Sequence, residues 1–273
     1  MSVTYTAVLE VSEDSVLFLS GLLHAERTRR GTRAGRRALG TYKQAVLVLR
    51  WLFDDTRTSA LARDSGIWTS TAYAYRDDGV AVLAARQPSL HGALLAATTA
   101  GHTHVVVDGT LIYTDRTSVP GPTPGVDLWC SGRHHHHGGN IQVVPAPDGW
   151  PLWTSDVRPG REHDMTTARA DPDLLTRIDQ RAADGQLTPA DPGHEDEPAT
   201  FTTPSKKPPN AGLTIDQQTY NAVHGALRRL GERASSLPKT TFTAPRRYRG
   251  CPWRPGDIAA ALVLPHHEHG HTT

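Results

Sequence analysis

The hydrophobic period of this chain changes at His102, which limits it to a helical segment followed by a mixed α/β unit. Before about residue 90 the apolar residues recur at helical spacing. Ser12 to Glu26 carries Val16, Leu17, Leu19, Leu22 and Leu23 behind a Ser-Glu-Asp start. Thr41 to Phe53 carries Ala45, Val46, Leu49, Leu52 and Phe53, with Thr41 as the expected cap. From His102 the pattern becomes His-Thr-His-Val-Val-Val-Asp, a short buried strand expected to end at Asp108. A hairpin follows, with strands near Asn140–Val144 and Pro151–Ser155 and Asp148-Gly149 at the turn.

Helices are expected after Asp164, a natural cap for Met165, over Asp173–Asp184, and over Gln217 to about Leu237. The last of these carries Tyr220, Val223, Leu227, Leu230 and Ala234 on one stripe. Leu187–Asp191 reads as a brief strand, and the proline-rich run from Pro192 to Gly212 as a long loop. The fold class is therefore α/β, a small mixed sheet with flanking helices, preceded by an all-α unit. The expected division is 1–95 for the helical unit and 100–273 for the α/β unit.

The net charge of +1 argues for no partner, but its distribution does. Arg27, Arg29, Arg30, Arg33, Arg36, Arg37, Lys43 and Arg50 face Glu26 alone over one stretch. Arg228, Arg229, Arg233, Lys239, Arg246, Arg247, Arg249 and Arg254 face Glu232 alone over another. Two such blocks suit a polyanion, although solvated surface arginine gives the same composition. Cys130 and Cys251 lack a metal-type spacing, which fits a reduced, cytoplasmic protein. No basic, apolar leader and no membrane-spanning run is visible.

Residues 58–84 read as a short helix around Leu61 and Ala62, a turn at Gly66-Ile67, and a longer helix capped by Ser70. That is the grammar of a helix-turn-helix, within about residues 41–85, offering Thr69, Thr71, Tyr73 and Arg76 to a major groove. An ordinary helical hairpin is the competing reading. With the basic residues Arg36 and Arg37 just upstream, double-stranded DNA is the expected partner.

Asp108 ends a valine-rich strand, where α/β folds hold ligands and where a carboxylate suits Mg2+. An Asp-Gly turn explains the same pair. Asp191 repeats the signal more faintly, with Pro192 holding it out of helical space. The run His134–His137 cannot converge on one ion, because strand neighbours point to opposite faces. His267-Glu268-His269-Gly270-His271 fits a zinc-protease string, yet it contains glycine and ends the sequence, with no chain left to form a cleft.

Taken in order, several motifs resemble the insertion-sequence transposases of the DDE superfamily, in the branch related to Harbinger-type elements. They are Val-Val-Val-Asp-Gly-Thr, the Gly-x-Asn-x-Gln at Asn140 and Gln142, the Asp-Gly hairpin, and Pro159-Gly160…His163-Asp164. Phe201–Pro208, Thr219–Asn221, Leu230–Ala234 and Lys239–Phe242 continue the series. The resemblance runs from about residue 40 to the end. It implies a ribonuclease H-like core, with Asp108, Asp191 and Glu232 as the catalytic, metal-binding triad. It further implies two Mg2+ or Mn2+ ions, nicking and strand transfer at transposon inverted repeats and target DNA, and a homo-oligomer. His163 and Asp164 would support the metals, and Arg228 would line a phosphate channel with the Glu232 face of its helix. Glu232 lies opposite the apolar stripe, so pairing with Arg228 on the surface is the rival reading. Asp191 precedes Pro-Gly-His where relatives have Gly-Tyr, and Pro238, Pro245, Pro255 and Pro265 interrupt expected elements. These departures leave two expectations, a weakened transposase or a catalytically inactive DNA-binding derivative of one.

Overall fold

A computed structural model describes residues 8–145, 151–190, 201–241 and 248–268, with the backbone alone at 230–241 and 262–268. Helix α1 (Glu13–Arg29) starts where Ser12 accepts the Ser15 N–H at 3.2 Å. Acids in its first turn and arginines in its last match the helix dipole. Helix α2 (Thr41–Asp54) is preceded by Gly40 at the cap position, so Thr41 is its first helical residue and not its cap. Helices α3 (Thr58–Asp64) and α4 (Thr69–Ala84) are joined through Gly66, whose φ of 64° is open to glycine at little cost. The residue capping α4 is Trp68, one place before the helix and not the expected Ser70.

Helix α5 (Leu90–Thr99), capped by Ser89, has no counterpart in the sequence reading. Its apolar residues are mostly alanines and leucines, with little amphipathic contrast to mark a face. Helices α1, α2 and α4 bury Leu19, Leu23, Leu47, Leu52, Tyr75 and Leu83 in one cluster. Gln44 fixes the packing by donating to the Tyr75 carbonyl at 3.0 Å, and Arg27 donates to the Gln44 side chain at 2.6 Å.

The sheet is built around β3 (His136–Pro145), which pairs antiparallel with β1 (Asp108–Tyr113), β2 (Cys130–Ser131), β4 (Pro151–Thr154) and β5 (Arg158–Pro159). The hairpin strands flank the expected turn, which itself lies outside the described residues. Strand β1 begins at Asp108, whereas the sequence pattern ended it there. Val105, Val106 and Val107 are buried but unladdered, except where the Val105 N–H reaches the Leu187 carbonyl at 3.3 Å. Beyond β1 the pairing turns parallel, through single bridges of His104 with Leu187 and Pro189 with Thr202. Leu187–Asp191 is thus represented by isolated bridges over its described part and not by a strand.

On one sheet face, α5, α6 (Asp164–Ala170) and α7 (Leu174–Ala183) pack Leu94, Met165, Ala168, Leu174 and Ile178 over Val107 and Val144. The buried Arg181 ties α7 to α5 by donating to the Thr98 hydroxyl at 2.9 Å. On the other face, Ile112, Ile141 and Val143 meet Ala259 of α9 (Pro255–Glu268). Helix α8 (Ile215–Thr241) packs against β1 and β3. Pro255 does not interrupt α9 but opens it, at the position where a missing N–H is harmless. Helix α9 also packs on α4 and α1, so Ile258 and Ala261 complete the N-terminal helical core. Among the described residues, no helix is long and apolar enough to cross a membrane.

Candidate active site

Asp108 stands, half-buried, where the buried valine run enters the ladder opposite Val143. Strand neighbours alternate between faces, so Asp108, Thr110 and Ile112 share one side of β1, while Gly109 and Leu111 share the other. The second side is fully built. The Asp164 carboxylate lies directly against the Gly109 Cα, where a Cβ would overlap it. Asn140 donates to Asp164 Oδ1 at 2.9 Å and to the Glu162 carbonyl at 3.1 Å. Gln142 donates to the Asp164 carbonyl at 3.4 Å, and Arg133 reaches the carboxylate at 3.4 Å. The Gly-x-Asn-x-Gln and Pro-Gly-x-x-His-Asp motifs are therefore one structure, in which two buried amides on β3 fix the first turn of α6. A cavity of about 360 Å³ opens here, bounded by Asn140, Arg133, His134, His163 and Asp164.

His163, not Asp164, occupies the cap position of α6, and it is exposed. Asp164 is the first helical residue, where a negative charge suits the dipole. Its carboxylate is on the Gly109 face, opposite to the face that alternation assigns to Asp108.

Helix α8 turns a different side inward from the one its apolar stripe suggests. Tyr220 and Val223 are 41% and 56% exposed, whereas His224 is buried. The sheltered positions are Asn221, His224, Gly225, Leu227 and Arg228. His224 Nε2 lies 2.7 Å from the Thr202 carbonyl, and Asn221 bonds Ser205 through both its amide oxygen and nitrogen. The segment from Phe201 therefore acts as a strap that hydrogen-bonds this polar face. Hydropathy points the other way because Val223 and Tyr220 cover no core.

Asp191 lies outside the described residues, and Glu232 lies on α8 where only the backbone is described. Among the described residues no three His, Cys, Asp or Glu side chains converge as a metal group. The histidine run divides as spacing demands. His134 and His135 form the β2–β3 turn, with φ of 53° at His135, and His136 and His137 enter β3. His136 stacks near Tyr113, while His137 faces Asp127 at 3.7 Å.

In the helical unit, Thr69 and Tyr73 are exposed at the start of α4 and Thr71 is half-buried. Arg76 is 8% exposed, its guanidinium lying over the rings of Trp51 and Tyr73 at 4.9 and 4.8 Å. Arg36 is exposed, and Arg37 pairs with Asp78 at 3.2 Å. Much of the first basic block is internally neutralised. Arg29 and Arg30 hydrogen-bond Glu26 and hold its carboxyl down to about 2. Arg30 also pairs with Asp78 at 2.9 Å.

The sequence reading missed Arg133 and Trp129. The first is separated from Asp164 by three strands, β3, β4 and β5, and no periodicity connects them. Trp129 is 1% exposed and packs edge-on against Trp253 at 4.8 Å, a contact no local pattern encodes.

A family model described as DDE superfamily endonuclease matches residues 107–263. No curated protein and no solved structure matches the chain.

Proposed function

The chain belongs to the DDE superfamily endonuclease family, and from that premise we propose that it is a transposase nicking and joining DNA at the ends of an insertion sequence. Asp108, Asp191 and Glu232 are its proposed catalytic carboxylates. The observation that carries this reading is the polar inner face of α8. Asn221, Gly225 and Arg228 are sheltered while Val223 is not, and continuing that face by one further turn reaches position 232. The α6 residue Asp164 covers the Gly109 side of β1, and in this reading α8, which packs on β1 and β3, shares the Asp108 side with α9. Asp191 is proposed from its motif, since it lies outside the described residues.

A ribonuclease H-like architecture agrees with the sheet, antiparallel from β4 through β3 to β1 and parallel beyond it. Three carboxylates with no thiol or imidazole among them fit Mg2+ or Mn2+, two ions in this reading. Such ions, when bound, polarise the scissile phosphate and stabilise the attacking and leaving oxygens. The chain's own residues position these groups. Asp108 is fixed by the β1–β3 ladder, Arg228 on the sheltered side of α8 offers a cation to the phosphate backbone, and Asn140 with Gln142 holds α6 in place. His163 and Asp164 act through that scaffold as positioning residues. Thr69, Thr71 and Tyr73 on α4 are the proposed groove contacts of a helix-turn-helix, and Arg36 a phosphate contact. Arg76 and Arg37 serve this unit by ordering it. The reaction needs two DNA ends held together, hence a homo-oligomer working on bacterial DNA in the cytoplasm.

Labelled inverted-repeat DNA should be nicked in Mn2+ by the intact chain, and not detectably after Asp108→Asn. Cleavage that survives this substitution overturns the assignment. A second reading rests on Pro238, which lies inside α8, the helix that carries position 232. A proline there removes a backbone donor and clashes with the preceding turn. This would leave a DNA-binding derivative that holds the same duplex in a salt-sensitive manner and cuts it in no divalent metal.

A further inference from the structure

A second cavity, of about 520 Å³, lies between α2, α3 and α4 and the segment at Tyr248-Arg249. Its inner wall is a guanidinium held between two aromatic rings. Trp51, buried at the end of α2, is covered by the Arg76 guanidinium, which is covered in turn by the Tyr73 ring. Arg76 is committed to this stack, since Nε and one terminal nitrogen donate to Asp77 at 3.0 and 2.7 Å. Tyr73 is the open end, 46% exposed and lining the cavity. The rim is cationic. Arg57 and Arg249 are both exposed there, and Arg57 has no acidic partner among the described residues. Asp55 is the one rim acid among the lining residues, and burial raises its carboxyl above the ordinary range, opposed by Arg249. Ser59 adds a hydroxyl at the mouth.

An open-ended aromatic and guanidinium stack beside exposed rim cations is chemistry for a flat heterocycle joined to a phosphate. Such a cavity is large enough for one nucleotide, since small-ligand sites span about 300–1,000 Å³. Thr69 and Tyr73 share the exposed start of α4, so a strand leaving this cavity runs directly along the helix proposed to contact DNA. We infer that the cavity receives a single unpaired nucleotide of the bound DNA, its base extending the Trp51–Arg76–Tyr73 stack and its phosphate on Arg57 and Arg249. This rests on the DNA-binding part of the proposed function and not on the carboxylate triad.

The test compares a labelled duplex containing one unpaired thymidine with the same duplex fully matched, by fluorescence anisotropy at fixed salt. The bulged duplex should bind about tenfold or more tightly than the matched one, the range of one stacked base. That ratio should fall toward one in Tyr73→Ala. It should also fall in Arg57→Gln with Arg249→Gln, a pair of exposed changes that spares the core. A fluorescent purine analogue in the bulge should be quenched by the intact chain and not by Tyr73→Ala. Equal affinity for both duplexes overturns the inference while leaving DNA binding standing, as does a ratio unchanged in the variants. Binding of inorganic phosphate without any preference for the bulge identifies a simple anion site and overturns it too. If the bulge preference holds but Asp108→Asn leaves nicking intact, the triad assignment fails and this one stands.

Discussion

At the residue scale, Gly109 explains why the Asp-Gly pair after the valines is more than a turn. It sits within a ladder, opposite Gln142, and a side chain there would meet the Asp164 carboxylate. Gly109→Ala must push the first turn of α6 outward and disturb the bonds from Asn140 and Gln142. Overpacking of this kind costs about 1–3 kcal/mol, which a urea titration would show as a lower midpoint with an unchanged slope. A variant as stable as the parent would mean that α6 moves freely and that Asp164 is not held in register with β1. The neighbouring Asp108 was legible in the sequence as a residue type at a strand boundary. Which boundary was not, because buried valines read alike whether or not they are hydrogen-bonded into a sheet.

At the scale of elements, α8 is where pattern and packing part. Its apolar stripe predicts Val223 inside, but the strap from Phe201 to Ser205 engages Asn221 and His224 instead. Val223→Ser should change stability by no more than about 0.5 kcal/mol. His224→Ala, which removes a buried side chain and its bond to the Thr202 carbonyl, should cost about 1–3 kcal/mol. Thermal melts of the two variants side by side decide between the stripe and the polar face, and the reverse order would sink the structural assignment.

The same helix contains Pro238 in its interior. Pro238→Leu should raise the melting temperature, by an amount bounded by the roughly 3 kcal/mol penalty of an interior helical proline. No rise would remove the argument for a weakened element. Pro255 carries no such expectation, since it occupies the first turn of α9. Pro245 lies outside the described residues, as does the end of the His267–His271 string.

For the whole molecule, the consequential feature is α9, which packs on α4 and α1 on one side and on β3 and β4 on the other. Ile258, 1% exposed, is in the same cluster as Leu19, Leu52 and Leu83 near the chain's other end. Ile258→Ala should therefore destabilise the N-terminal bundle by about 2–5 kcal/mol, although it lies in the C-terminal helix. Hydrogen exchange should show lost protection in α1 and α4. Loss confined to α9 and the sheet would show that the two units are energetically separate.

The sequence by itself determined the helical beginning, the change of period at His102, the β3–β4 hairpin and helices α6 to α8, because each follows from local spacing, capping and turn chemistry. It also supplied, through ordered motifs, the family that residues 107–263 match. Tertiary structure alone decided that Arg76 is walled between two rings, that α8 shelters its polar side, and that Asn140 and Gln142 brace Asp164. It also decided that α9 closes the N-terminal core. Each of these depends on which surfaces meet after the chain has folded back on itself. Local periodicity records how amphipathic a segment is, but the partner that covers it is chosen by contacts between residues far apart in the chain.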